Sequence, residues 1–294
     1  MLSIKPPDPR SVLLITLDSC RYDTCAAART PNISRVGELH RVMSPGNFTY
    51  ASHAAMFVGF TPGDPMVDAP YVNPARGRIF YMRRPRRKAP QPDYMELEGR
   101  NVIDGFRRRG FLTIGSGAMT WLNPRYEAGD MLVRDFEKFW HAGNVWSLAM
   151  QLEFIARSMA GQGGGLRSWF FNSKADAAAR PQFVFLNVGE THTPYWHEGA
   201  KWDRDFDPCV SPYAPTNDAS VCRQRQTACL EFADRLLGPL IDAFLCSGAT
   251  IVICGDHGDC WGEDGLWGHT IHHPKAYEVP LLFKLSDAHK PVMS

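Results

Sequence analysis

The chain has 294 residues, 44% of them apolar and 21% charged, with 32 Lys and Arg against 31 Asp and Glu for a formal net charge of +1. That composition excludes a disordered chain, and the length suffices for a substantial core. Near-balance of charge argues against a protein devoted to nucleic acid or to anionic membrane, and no apolar run approaches the roughly 20 residues that cross a bilayer.

Met1 to Arg10 carries Pro6, Pro7, Asp8 and Pro9 where a secretory leader needs an apolar stretch. Val12 to Leu17 is the first short apolar run and reads as a buried strand. Asn47 to Phe57 reads as a loop entering a short helix, with Thr49 at or just before its first turn. A helix-like stretch around Val102 to Arg109 leads into a strand candidate at Phe111 to Ile114, and Phe183 to Val188 is a further apolar run. Late in the chain, Cys229, Phe232, Ala233, Leu236, Leu237, Leu240, Ile241 and Phe244 recur at helical spacing, Gly248 ends the pattern, and the β-branched run Thr250 to Ile253 follows at once. Apolar strands separated by helices predict an α/β fold, a mostly parallel central sheet with helices on both faces. Residues 1–294 read as one domain, with a basic, Pro-rich insertion at about 62–92 and a second irregular segment from Gly161 to Pro181. Eight cysteines without a Cys-x-x-Cys pair, several of them in apolar segments, lead us to expect a reduced, cytoplasmic protein.

Ligands of open α/β sheets gather at the carboxyl ends of the strands. Asp18 follows the first strand, Glu190 and His192 follow Val188, and Asp256 and His257 follow the last apolar run. Singly, an Asp after a strand is most often a turn or cap residue, and a lone His a hydrogen-bonded structural one. Jointly, carboxylates and imidazoles on one edge make a ligand set for a divalent cation. Thr49, at a helix amino end where backbone N–H groups attract anions, is the candidate nucleophile, a simple N-cap being the alternative.

These blocks resemble the alkaline phosphatase superfamily, in particular its sulfatase, phosphonate monoester hydrolase and phosphoethanolamine transferase-like branches. Leu14 to Asp23 is similar to the family's first strand, metal-binding aspartate and Arg-x-Asp; Thr30-Pro31-Asn32-Ile33 to the segment before the nucleophile; and Thr49-Tyr50-Ala51-Ser52-His53-Ala54 to the nucleophile motif. His192-Thr193-Pro194-Tyr195 and Gly255-Asp256-His257-Gly258 follow in family order, with Gly265 to His269 and Val279-Pro280-Leu281 similar to the downstream substrate-binding segment. The resemblance implies an alkaline phosphatase-like domain, a metal held by Asp18, Asp256 and His257, Thr49 bridging metal and substrate, and Arg21, Ser52, His53, His192 and His269 around the substrate. His192 or His269 would protonate the leaving oxygen.

The implied cofactor is Zn, Mn, Mg or Ca, with at least one ion. The two-metal branches add an Asp-x-x-x-His pair that does not follow the third strand here, which favours one essential metal; Glu190, His192, His269, His272 and His273 are the candidates to complete a second site. Thr49 stands where sulfatases carry the Cys or Ser that becomes formylglycine, and Ser19 where they carry a second aspartate, so the expected activity is hydrolysis of a small or conjugated phosphate or phosphonate ester through a phosphothreonine. Transfer to a non-water acceptor and sulfatase-like hydrolysis are the alternatives within the family. A polyanion-binding module, suggested by the basic run Arg76, Arg78, Arg83, Arg84, Arg86, Arg87 and Lys88, is the alternative outside it. The segment Gly115-Ser116-Gly117 after a strand is a weak dinucleotide-binding signal, because it lacks the third glycine.

Overall fold

The computed structural model describes residues 4–59, 101–161 and 180–286, together with the backbone of a short antiparallel pair, β3 (Phe80–Arg83) and β4 (Tyr94–Leu97). The side chains of the basic run and most of the irregular segments at 62–92 and 161–181 lie outside the described residues.

Seven strands form the central sheet: β1 (Val12–Leu17), β2 (His40–Met43), β5 (Leu112–Gly117), β6 (Lys138–His141), β7 (Gln182–Val188), β8 (Thr250–Gly255) and β11 (Glu278–Lys284), in the order β2-β11-β8-β1-β7-β5-β6. Pairing is parallel from β8 through β6, while β11 runs antiparallel to both β8 and β2. The expected mostly parallel sheet is thus present, closed on one side by an antiparallel strand.

Alternation along the central strands explains the layers. On β1, Leu13, Ile15 and Leu17 enter one apolar cluster, and Leu14 packs with Val12 against another; on β7, Val184, Leu186 and Val188 divide from Phe183 and Phe185 in the same way. The first cluster is completed by α5 (Leu148–Met159), through Leu148, Leu152 and Ile155, and by α6 (Ala219–Ser247), through Leu230, Leu237, Leu240 and Phe244. The second is completed by α2 (Thr49–Val58), α3 (Val102–Arg108) and α4 (Glu127–Val133). A strand buried on both faces is mainly apolar, which is why β1, β7 and β8 read as apolar runs.

The remaining short elements are α1 (Tyr22–Ala27), α7 (Pro274–Tyr277) and the two-stranded pair β9 (Cys260–Trp261) and β10 (Trp267–Gly268). The helix α6 ends at Gly248, whose φ of 70° supplies the left-handed turn that the sequence pattern indicated. It also fixes Thr30-Pro31-Asn32-Ile33: the fully buried Asp234 carboxylate accepts from the backbone N–H of Asn32 and Ile33 and from Asn32 Nδ2.

One expectation is corrected by the fold. Gly115 and Gly117 lie inside β5 and not in a phosphate-binding turn; a Cβ there would stand 2.7 Å from Phe139 and from Leu122 respectively, so close packing accounts for both glycines. Val279-Pro280-Leu281 forms part of β11, paired with β2. All eight cysteines are free thiols, seven of them buried. Among the described residues no helix is long and apolar enough to cross a membrane.

Candidate active site

The carboxyl ends of β1 and β8 are adjacent, because Leu17 pairs with Gly255 in the register of the two strands. The residues that follow therefore meet. Ser19 takes a left-handed φ of 55°, uncommon for a non-glycine residue, and in that conformation its N–H donates to Asp256 Oδ1 at 3.1 Å. Asp256 Oδ1 also accepts from His257 N–H at 2.9 Å. Gly258 has no room for a Cβ, since Lys275 O would lie 2.2 Å from it, which explains the Asp-His-Gly order.

Asp18, Asp256 and His257 are fully buried, and one ligand atom from each lies within 4.8 Å of the others. Asp256 Oδ2 and His257 Nε2 have no hydrogen-bond partner, and Nε2 stands 3.6 Å from Asp18 Oδ1. Burial raises the Asp18 carboxyl, with the neighbouring Asp256 adding to the effect, and it raises Asp256 to about 7. Burial, and then His269, lower the His257 imidazole to about 4. Two buried carboxylates facing a neutral imidazole with open donor atoms are costly as they stand and are satisfied by a cation. The donor set of two carboxylate oxygens and one imidazole nitrogen suits a divalent ion such as Zn or Mn.

Thr49 is the first residue of α2 and is 2% exposed. Phe48 occupies the N-cap position and no side chain caps the helix, whereas Thr49 Oγ1 donates to Asp18 Oδ2 at 3.3 Å. The hydroxyl is thus directed into the carboxylate cluster rather than onto the helix end, which sets aside the N-cap alternative. Trp121 packs at an angle against both residues that flank Thr49, 5.7 Å from the Phe48 ring and 5.6 Å from that of Tyr50.

His192 and His269 reach the same place, with ring centroids 5.3 Å apart, and the His269 ring is 4.5 Å from that of His257. His192 Nδ1 is held by Thr193 O at 2.6 Å. His269 Nδ1 is held by Asp259 Oδ1 at 2.7 Å. Burial alone would depress His269, but the Asp259 carboxylate overrides it and raises the imidazole to about 9; in return, Asp259 falls to about 2 against its own burial.

The other expected site residues are engaged in contacts of their own. Arg21 is 1% exposed and bound to Asp23, Glu263 and Asp259 O, with its guanidinium 4.2 Å over the Trp261 ring. It braces the loops that follow β1 and β8. Ser52 and His53 are fully buried on α2; His53 Nδ1 donates to Thr49 O and lies 3.7 Å from Asp256 Oδ2, Nε2 accepts from Thr16 Oγ1, and burial lowers the imidazole, so His53 supports Thr49 from within the protein. His273 accepts from Lys275 N–H at the start of α7, and His272 faces Tyr277.

Glu190 turns away as well. Its Oε1 accepts the Leu148 N–H at the start of α5, and burial raises it to about 7. Because its folded-state value lies above the ordinary one of 4.5, the stability it contributes is complete below about 4.5 and is lost as pH rises through 7. We expect Glu190→Gln to remove a fall of about 3 kcal/mol between pH 4.5 and pH 8, measured by thermal unfolding at both values. A variant that loses stability with pH as steeply as the native chain would refute this assignment.

Three supports were not foreseen. Asn187 on β7 donates to Asp18 Oδ2 and Thr16 Oγ1. Gln226 on α6 donates to Ser19 O and Thr191 O and accepts from Arg21 N–H, joining the loops after β1 and β7. Asp259 is the third. For Asn187 and Gln226 the signal was available in the sequence: each is a polar residue within an apolar strand or helix face, and buried polar groups need partners.

The Sulfatase family model matches residues 10–294. Among solved structures, the C-terminal periplasmic domain of phosphoethanolamine transferase EptC from Campylobacter jejuni superposes with a TM-score of 0.60 at 13% identity, covering 96% of this chain and 81% of that one. The corresponding EcEptC domain from Escherichia coli in complex with Zn gives 0.57 at 13% identity, covering 96% and 77%. The phosphonate monoester hydrolase of Agrobacterium radiobacter gives 0.54 at 15% identity, covering 94% and 68%. No curated protein matches the sequence. With its seven-stranded sheet and the Asp18, Asp256 and His257 cluster at the strand ends, the chain belongs to the sulfatase family.

Proposed function

We propose that the protein is a metal-dependent hydrolase of phosphate or phosphonate esters that works through a covalent intermediate on Thr49. The observation that carries this reading is the Thr49 hydroxyl, placed at the start of α2 and donating to Asp18 Oδ2 beside the open atoms of Asp256 and His257. Asp18, Asp256 and His257, with Thr49, would hold the ion. A divalent cation there lowers the pKa of a hydroxyl and neutralises charge on a phosphoryl oxygen.

The chain's own groups supply the rest. Thr49 Oγ1 bonds to phosphorus and releases its proton along the hydrogen bond to Asp18, while the bond from phosphorus to the leaving oxygen breaks with its electron pair. An imidazole, His269 or His192, gives the leaving oxygen a proton. The uncapped first turn of α2 presents backbone N–H groups to the charged oxygens. Water then attacks phosphorus, the bond to Thr49 Oγ1 breaks with its electron pair, Oγ1 takes back its proton along the hydrogen bond from Asp18, and the imidazole recovers a proton from that water. A threonine cannot become formylglycine, so sulfate esters are expected to be poor substrates.

The test is metal analysis of the purified protein together with turnover of aryl phosphate monoesters, diesters, phosphonates and sulfates. The expected result is bound divalent metal and hydrolysis of at least one phosphorus ester class. Sulfatase turnover with no phosphorus ester cleaved would overturn the reading. Adding alcohol acceptors to the same panel separates hydrolysis from group transfer.

A further inference from the structure

Asp259 lies two residues beyond His257, is fully buried, and has both carboxylate oxygens occupied. Oδ1 accepts from His269 Nδ1 at 2.7 Å, and Oδ2 accepts from the Tyr195 hydroxyl at 2.7 Å. The Tyr195 oxygen in turn accepts from Trp261 Nε1 at 2.8 Å. Tyr195 is fully buried and Trp261 is 3% exposed, whereas the His269 side chain is 22% exposed, so the chain of hydrogen bonds runs from the interior outward and ends on an imidazole at the cleft. His269 Nε2 makes no hydrogen bond among the described residues.

Asp259, His257 and His269 also lie close enough together to serve as a metal-ligand group. Two features weigh against that use. The open His257 Nε2 already faces Asp18, and its Nδ1 is 3.1 Å from Gly258 O, so this imidazole has one nitrogen to offer and the Asp18 cluster uses it. The Asp259 oxygens are each directed at a donor proton, as in a positioned carboxylate. The arrangement of carboxylate, imidazole Nδ1 and open Nε2 is the one by which a buried acid fixes the tautomer and orientation of a catalytic histidine.

Building on the hydrolase reading above, we infer that Asp259 is a positioning residue, held by Tyr195 and Trp261, which fixes His269 with Nε2 turned to the scissile bond as the proton donor to the leaving oxygen. Asp259 keeps its charge throughout: His269 Nε2–H passes to the leaving oxygen as the phosphorus–oxygen bond breaks, and the attacking water returns a proton to Nε2 in the second step. His192, whose Nδ1 is held only by the adjacent carbonyl of Thr193, then contacts the transferred group.

The test compares 4-nitrophenyl and benzyl esters of the phosphorus class that the holoenzyme cleaves. The first leaving group departs without a proton, and the second needs one. Asp259→Asn is expected to lower kcat for the benzyl ester by about 100-fold and for the nitrophenyl ester by less than about threefold, with KM and metal content unchanged. Tyr195→Phe, which leaves His269 bonded to Asp259, is expected to show the same selectivity at smaller size. An equal loss on both esters, in either variant that retains its fold and metal, overturns the positioning role. Loss of a metal equivalent in Asp259→Asn makes Asp259 a ligand and also overturns it. Failure of the native protein to cleave either ester is a different result, since that removes the hydrolase reading itself.

Discussion

Replacement of Thr49 by Ala is expected to lower turnover by at least about 10³-fold while leaving the fold in place, because removing a nucleophile takes with it the catalysis that the surrounding residues share. The side chain is small, 2% exposed and makes one hydrogen bond, to Asp18, and alanine is at least as good a helix residue. Structural damage is therefore minor, and a normal thermal transition beside a lost activity isolates the chemical role. Thr49→Ser retains the hydroxyl and should recover much of the rate. With the native enzyme, a rapid quench during turnover of a labelled ester should place the label on Thr49. Substantial turnover in Thr49→Ala, or label on another residue, would show that the nucleophile lies elsewhere.

The second large effect concerns the carboxylate pair. Asp256→Asn preserves an oxygen for the N–H groups of Ser19 and His257, so the turn after β8 should survive. What disappears is a negative charge among open ligand atoms. Changes to groups that merely support a metal ligand cost about 10–100-fold in affinity, and loss of a ligand charge should exceed the upper end of that range, with activity falling in parallel. The stability effect has the opposite sign. In chelator, the native chain must bury Asp18 and Asp256 facing one another, so the Asn variant should unfold at a higher temperature than the native apoprotein. On adding Zn or Mn the order should reverse, since only the native site gains binding free energy. Native-like stabilisation of Asp256→Asn by metal would remove Asp256 from the ligand set.

How much of this could be read from residues alone depended on burial. β1, β7 and β8 are covered on both faces and so are written as mainly apolar runs, which located the strands and hence Asp18, His192, Asp256 and His257 at their ends. β2 and β6 lie at the sheet margins, half-exposed, and their residues His40-Arg41-Val42-Met43 and Lys138-Phe139-Trp140-His141 carry no such signature. Arg21 misled for a related reason. A cation three residues from a metal-ligand candidate is a reasonable partner for an anion, but spacing along a chain does not say that Asp23 and Glu263 already hold it. Asp259 was missed because its partners, His269 ten positions on and Tyr195 64 positions back, form no recognisable spacing and meet it only in the folded chain.

The position of β1 between β7 and β8 also sets an order of events as the chain is made. β1 leaves the ribosome before both of its neighbours, which come from residues beyond 180. Until then an apolar strand has two unpaired edges, the state most exposed to mispairing and the slowest kind of contact to close. Asp18 and Thr49 likewise wait for Asp256 and His257, near the far end of the described chain. A nascent chain therefore lacks the assembled group of Asp18, Asp256 and His257, and any metal loading there would follow closure of the sheet.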